Sequence, residues 1–409
     1  MADDAAAPVE PAGFDVIVLA TGTAARTGKV CGLTLAERGR RVAVRAGATR
    51  VVVVDDGHGG RGLAAWARDG GRDVLVLRAS DQVVHFPLVD AVRGGGARVA
   101  VTAEGDYAGA IWVPAAEAGE VAAALEADPV DGDAAVAARW RADGHATEHV
   151  PGPIARHRAV TRDERRAATA MLFELVHKKD QDGWLSKYLF RPVAYPITRA
   201  FLPTFITPNL VTLMVAVLAL TGCAIAAGAS YEAAVVGSLL QHVAGYFDCT
   251  DGEIARLRHE GSKMGQWYDT LADEATTVGY LAGIGYHVYQ RHPGTWYQPY
   301  VGWSIPVGLV GTAVTIYVIY YYLIKVARSG NSQDYPVEKG GKLEPLAQLL
   351  HRDFIGLASL ILAIANLTEV AYALLWLGAV VSAFILVPQH VKLRRDLAAG
   401  RVVPKPKPA

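Results

Sequence analysis

The stretch Asp248-Cys249-Thr250-Asp251-Gly252-Glu253-Ile254-Ala255-Arg256 is followed, after eight intervening residues, by Gly265, then by Asp269 and Asp273. On helices, Asp248 and Asp251 stand three apart and share a face, and Asp269 and Asp273 stand four apart and share another. Gly252 directly follows Asp251, and Gly265 lies one turn before Asp269, so backbone or ligand can approach closely at both. Ionisable residues at the ends of apolar segments are costly and tend to be functional. Four carboxylates converging on one cavity need cations to remain ionised. All-oxygen ligation favours Mg2+, Mn2+ or Ca2+ over zinc, and a pair of such ions suits chemistry on a diphosphate. Arg256, a turn past Asp251, is placed to neutralise a phosphate oxygen. A plainer alternative pairs the aspartates with Arg256, Arg258 and Lys263 in a solvated turn. It accounts poorly for Asp269 and Asp273, which open a helix with no basic residue close by in sequence.

Around this stretch the chain is apolar. Long hydrophobic segments fall near 206–228, 233–247, 265–288, 301–325, 354–366 and 370–388, and a bilayer core takes about 20 helical residues. Six transmembrane helices are expected, the second merging into the polar motif and the fifth short. Cationic residues gather in alternate connections: Arg256, Arg258 and Lys263, then Lys325 to Arg352, then the tail from Lys392 to Lys407. Arg291 alone lies in the opposite loops. The positive-inside rule puts both termini and the aspartate motif on the cytoplasmic side, in the plasma (cell inner) membrane. Trp296, Tyr297, Tyr300 and Trp303 are placed as interfacial aromatics. Gly183 to Leu202 mixes aromatic, apolar and basic residues around Pro192 and Pro196, and reads as a kinked amphipathic segment in the headgroup layer, the alternative being a linker helix packed on protein.

The N-terminal part differs. The runs 15–19, 50–54, 73–77 and 98–101 are apolar strands separated by stretches of helical length, which predicts a Rossmann-like α/β domain with a parallel sheet covered on both faces. The expected organisation is a disordered tail over 1–13, an α/β domain over 14–145, a linker over 146–182 and an interfacial segment over 183–204. An all-α membrane domain over 205–390 and a basic tail over 391–409 follow. Lys+Arg and Asp+Glu number 40 each, a balance that argues against nucleic-acid binding. The 3 cysteines form no C-x-x-C, which excludes a disulfide framework and a cysteine-ligated zinc.

The aspartate stretch resembles, at every defined position, the signature D-x2-D-G-x2-A-R-x8-G-x3-D-x3-D of the CDP-alcohol phosphotransferase family. Thr207-Pro208-Asn209 with Val211-Thr212 is similar to the start of that family's first membrane helix. Leu185 to Pro192 resembles the segment before it in fused members, in which a di-myo-inositol-phosphate phosphate synthase is joined to an inositol-phosphate cytidylyltransferase. The resemblance implies that Asp248, Asp251 and Asp269 bind two divalent ions, Mg2+ or Mn2+. It implies that Asp273 adds a ligand and acts as general base, and that Gly252, Ala255, Arg256 and Gly265 shape the site for the cytidine diphosphate. It further implies a CDP-diacylglycerol or CDP-inositol type of donor, an alcohol or inositol-phosphate acceptor, release of CMP, and a homodimer. Arg328, Lys339, Lys342 and Arg352 are candidates to hold an anionic acceptor; enforcing topology is the equal alternative. The competing class is a divalent-cation transporter or membrane scaffold, which would place its carboxylates near the bilayer midplane and has no need of Gly252 or Arg256.

Leu19-Ala20-Thr21-Gly22-Thr23-Ala24-Ala25-Arg26-Thr27-Gly28-Lys29 follows the first strand. A glycine-rich turn there can cradle phosphate, but the P-loop spacing fails and Val30 stands where Ser or Thr would be needed. The run resembles the L-A-A-G-x-G-x-R opening of cytidylyltransferases, with Thr21 and Ala24 as departures and no P-K-P motif in the domain. Arg78-Ala79-Ser80-Asp81 resembles the aspartate-bearing stretch of those enzymes. These departures favour a degenerate, non-catalytic domain; the alternative is a cytidylyltransferase that makes the CDP-alcohol from CTP.

Overall fold

The computed structural model describes residues 13–57, 60–94, 96–150, 157–176, 185–330, 335 and 352–405. The tail expected over 1–13 lies almost wholly outside these residues. The chain divides into two units, Met1–His177 with Leu257–His259, and Lys178–Arg256 with Glu260–Ala409.

The first unit is built on β1 (Asp15–Leu19), β4 (Arg50–Val54), β5 (Val74–Arg78), β6 (Arg98–Val101), β7 (Tyr107–Val113) and β8 (Ala146–His149), in the sheet order β4-β1-β5-β7-β6-β8. A small antiparallel pair, β2 (Lys29–Val30) and β3 (Leu33–Thr34), stands apart. The four expected strands are present, but the sheet is mixed rather than parallel. β7 runs antiparallel to both β5 and β6, and β8 pairs with β6 in parallel. The residues expected to begin a linker at 146 therefore complete the sheet. The helix Arg162–Val176 also belongs to this unit. β7 escapes a propensity reading because Ala108, Gly109 and Ala110 are poor strand formers. Their small size has a use: Gly109 has φ +92°, and a Cβ there would fall 2.0 Å from the Gln82 amide nitrogen, which donates to the Ala108 carbonyl at 2.8 Å.

Alternation along β1 supplies two cores. Val16 and Val18 join Val42 of α2 (Leu35–Arg45) and Leu88, Val89 and Val92 of α4 (Phe86–Val92). Ile17 and Leu19 join Leu63 of α3 (Leu63–Gly70), Val121 and Leu125 of α5 (Ala115–Ala127), and Trp140 of α6 (Gly132–Ala142). The first helix, α1 (Gly22–Thr27), is a short turn after β1, and α7 is the helix Arg162–Val176.

The second unit is helical. A π turn (Ser186–Phe190) runs directly into α8 (Arg191–Phe201), so the segment expected to be broken by Pro192 and Pro196 is helical through both. Pro192 stands in the first turn of α8 and Pro196 inside it. There follow α9 (Pro208–Ala226), α10 (Tyr231–Leu257), α11 (Lys263–Arg291), α12 (Gln298–Tyr322), α13 (Arg352–Ile364) and α14 (Thr368–Ala398). A π turn, Leu323–Ala327, extends α12. Each of the six expected apolar segments coincides with one of these helices. Among the described residues, three helical stretches are long and apolar enough to cross a membrane: Pro208–Ala226, Gln298–Ala327 and Thr368–Ala398. The basic tail expected from 391 starts inside α14, which runs on to Ala398.

Small residues let these helices approach closely, as is usual where apolar surroundings give little drive for association. A Cβ on Gly283 of α11 would lie 2.5 Å from the Cys223 carbonyl oxygen of α9, and one on Gly237 of α10 would lie 2.5 Å from the Ala226 amide nitrogen. Ser238 and Tyr280 hydroxyls bond across α10 and α11 at 2.7 Å. Gly283→Val is expected to destabilise the helical unit by about 1–3 kcal/mol through overpacking. Its thermal unfolding temperature in detergent should fall below that of a control, Gly356→Ala, whose added Cβ meets no atom within 4 Å.

Candidate metal and nucleotide site

α10 continues unbroken through the polar motif to Leu257, and α11 begins at Lys263. The intervening turn is closed by Ser262, whose hydroxyl accepts from the Gly265 amide at 2.9 Å as the N-cap of α11. The motif is thus a helix–turn–helix. Its first two aspartates sit near the end of one helix and its last two in the opening turns of the next.

This geometry brings Asp248, Asp269 and Asp273 together. One carboxylate oxygen from each lies within 4.8 Å of the others, and all three side chains are half-buried. An oxygen-only donor set of this kind fits a hard divalent cation. Asp251 stands outside that trio and is buried. It accepts from the Thr212 hydroxyl of α9 at 2.5 Å and from the Gly252 amide. Of the four expected aspartates, three form a compact ligand group, and the fourth is oriented by a neighbouring helix.

Both glycines are explained by what crosses them. The Arg256 guanidinium lies over Gly252, where an added Cβ would be 3.1 Å from Nη1. At Gly265 a Cβ would come within 3.0 Å of Asn209 Oδ1 and 3.1 Å of Ser262 Oγ. Asn209 belongs to the start of α9, which Thr207 caps by accepting from the Leu210 amide at 3.3 Å. Ala255 and Arg256 are half-buried on α10.

Two of the four candidate acceptor cations, Arg328 and Arg352, lie among the described residues. Arg328 is exposed and left-handed (φ +50°) just past the π turn that ends α12. Two residues on, the Gly330 carbonyl accepts from Thr270 Oγ1 at 2.9 Å, which ties this segment to α11 beside Asp269. Arg352 opens α13, whereas Lys339 and Lys342 lie outside the described residues.

Three positions that pack around the motif were given no site role from sequence. Thr212 was noted only within the run that resembles the start of the family's first membrane helix. Glu253 occupies an undefined position of the motif yet is 1% exposed. Arg191, its partner at 2.7 Å, stands in the expected interfacial segment.

In the N-terminal unit, the turn after β1 is filled by the protein's own groups. The Gly22 amide donates to Asp56 Oδ1 at 2.8 Å, and the Thr21 amide donates to Ser80 Oγ at 3.2 Å. Arg78 is engaged by Asp133 at 2.7 Å, Asp81 at 3.0 Å and Asp131 at 3.2 Å. Burial disfavours its charge, but the carboxylates of Asp133 and Asp81 outweigh this and hold its pKa above the ordinary value. Asp81, in the run that resembles the aspartate-bearing stretch of cytidylyltransferases, is an ion-pair partner here.

The family match falls on the helical unit. Residues 205–384 match the CDP-alcohol phosphatidyltransferase family. A bifunctional IPC transferase and DIPP synthase of Aquifex aeolicus is 27% identical over 128 residues, 31% of this chain and 29% of the relative. A protein of the same description from Thermococcus kodakarensis is 26% identical over 126 residues, 31% of this chain and 28% of the relative. The chain thus spans under a third of the length of these curated relatives. Two crystal structures of Mycobacterium tuberculosis phosphatidylinositol phosphate synthase are also similar. The one in complex with manganese and citrate has 17% identity and a TM-score of 0.37 over 48% of this chain and 88% of that one. The one with CDP-DAG bound has 16% identity and a TM-score of 0.37 over 49% and 94%. The whole aspartate motif falls inside the matched stretch, and the C-terminal part of this chain is a CDP-alcohol phosphatidyltransferase domain, of a family whose members are phosphotransferases.

Proposed function

We infer that the protein transfers a substituted phosphate from a CDP-alcohol to an acceptor hydroxyl and releases CMP. The observation that carries this reading is the meeting of Asp248, Asp269 and Asp273 within 4.8 Å, inside residues matched to the family. Asp248, Asp251, Asp269 and Asp273 would hold two divalent ions, Mg2+ or Mn2+, whose charge when bound compensates the pyrophosphate and the departing CMP. Asp273 takes the proton of the acceptor hydroxyl as that oxygen bonds to the donor's β-phosphorus. The bond from β-phosphorus to the bridging oxygen breaks, and CMP leaves with that oxygen. Arg256 pairs with a phosphate oxygen of the donor, and Gly252 and Gly265 leave room for the cytidine diphosphate.

The membrane setting belongs to the same reading. α9 to α14 are proposed as six spans, with the motif and both termini cytoplasmic and the π turn and α8 lying in the headgroup layer. The basic distribution in the sequence and the three long apolar helices support this arrangement. The protein is proposed to act as a homodimer in phospholipid or inositol-phosphodiester synthesis, Arg328, Lys339, Lys342 and Arg352 being the residues offered to an anionic acceptor. The bifunctional description of the curated relatives raises a second activity, synthesis of the CDP-alcohol by the N-terminal unit. The occupation of the Thr21 and Gly22 amides by Ser80 and Asp56 supports the non-catalytic alternative instead.

Mass spectrometry after incubating the purified protein with a panel of CDP-alcohols and acceptors is expected to show CMP and one phosphodiester; CMP release from no donor would overturn the assignment. Chelation should stop turnover, and Mg2+ or Mn2+ should restore it. Asp273→Asn is expected to lower CMP release by about 100-fold or more, the usual scale of a general base, while retaining metal-dependent donor binding. Asp248→Ala should lose both. Wild-type turnover in Asp273→Asn would remove the base assignment. Full-length Asp273→Asn given CTP and phospho-alcohols should release no pyrophosphate; steady release would make the N-terminal unit a cytidylyltransferase.

A further inference from the structure

We propose that Glu253, held by Arg191 and Thr198, is a positioning residue that sets the rotation of α10 and so keeps Asp248 in register with Asp269 and Asp273. The proposal rests on the metal-binding reading above. Glu253 lies between Gly252 and Ala255, at a position the signature leaves undefined. Its carboxylate is used at both oxygens: Oε1 accepts from Arg191 Nη1 at 2.7 Å, and Oε2 accepts from Thr198 Oγ1 at 2.6 Å. The side chain is 1% exposed and that of Arg191 12%. Arg191 and Thr198 stand seven residues apart, two turns along one face of α8. A single buried carboxylate therefore grips that helix at two points.

The grip has a second anchor. Phe190 packs against Tyr246 and His242 of α10, with ring centroids 4.9 and 5.3 Å apart. Gly245 makes the notch for it, since a Cβ there would fall 2.8 Å from the ring. Asp251 precedes Glu253 by two residues, about 200° around the helix, and is held from that other side by Thr212 of α9. With Asp251 tied to α9 and Glu253 tied to α8, α10 cannot roll about its axis without breaking one bond or the other. Roll is the motion to which the site is sensitive, because it swings Asp248 away from its partners on α11. Apolar packing alone could seat α8 on α10 without desolvating two charges. The ion pair adds a direction that apolar contact lacks, since a carboxylate bonded at both oxygens does not slide.

The test uses the full-length protein in nanodiscs and Mn2+ alone as the probe, with bound ion read by electron paramagnetic resonance. Wild type should bind Mn2+, and Asp248→Ala should abolish that binding. Glu253→Gln and Arg191→Gln, with gel-filtration profiles and helical content unchanged, are expected to weaken Mn2+ about tenfold, the low end of what supporting residues around a metal contribute. Arg191→Lys, which keeps the charge, should stay near the wild-type value. Thr198→Val, which removes one hydrogen bond and no charge, should show a smaller loss in the same direction, and it carries the test if Glu253→Gln does not fold. Asp248-dependent binding in wild type with Glu253→Gln, Arg191→Gln and Thr198→Val all unchanged would overturn the positioning role alone. Mn2+ binding indifferent to Asp248→Ala would overturn the metal-site reading, and the positioning role with it.

Discussion

Three carboxylates brought within 4.8 Å of one another across a helix–turn–helix are the constraint on which the rest of the helical unit depends. At an effective dielectric of 20, two like charges at that distance repel by about 3 kcal/mol, so the arrangement persists only if neighbouring structure enforces it. That enforcement is visible residue by residue. Ser262 fixes the first turn of α11, Thr212 orients Asp251, and Arg191 and Thr198 grip Glu253. In the proposed reading the same gathering would suit a divalent ion, since the scaffold supplies the oxygens already assembled.

The scaffold itself depends on close approach. α9 lies against both α10 and α11 through glycine contacts at Gly237 and Gly283. Those contacts bring the start of α9 beside the turn between α10 and α11, where Asn209 rests on Gly265. Packing in the apolar interior and chemistry at the polar end are therefore linked by the same helices. A change in spacing along α9 is transmitted directly to Thr212 and Asp251.

In the N-terminal unit, polar groups meet one another. The turn after β1 holds Gly22 at φ +84°. A carboxylate from Asp56 stands against the Gly22 amide, where an anion would be received, and Ser80 takes the Thr21 amide. Arg78, at the end of β5, is paired with three aspartates. Two well-filled cores on a six-stranded sheet hold the unit together.

Much of this was legible in the amino-acid order. The spacing of Asp248, Asp251, Asp269 and Asp273 determined which carboxylates share a helix face, because helical periodicity is a local property. The six apolar segments and four of the strands were legible for the same reason. Tertiary structure decided what local pattern cannot carry. β8 owes its place to a partner distant in sequence, and in β7 the run Ala108-Gly109-Ala110 interrupts an otherwise strand-forming pattern. Asp251 was expected to join its three neighbours, but its rotamer is set by Thr212, 39 residues away. Glu253 sits at an undefined position of the motif and acquires its role only because folding brings Arg191 and Thr198 to both of its oxygens. Spacing along a helix states which side chains point the same way; only the packing of helices determines what each one meets.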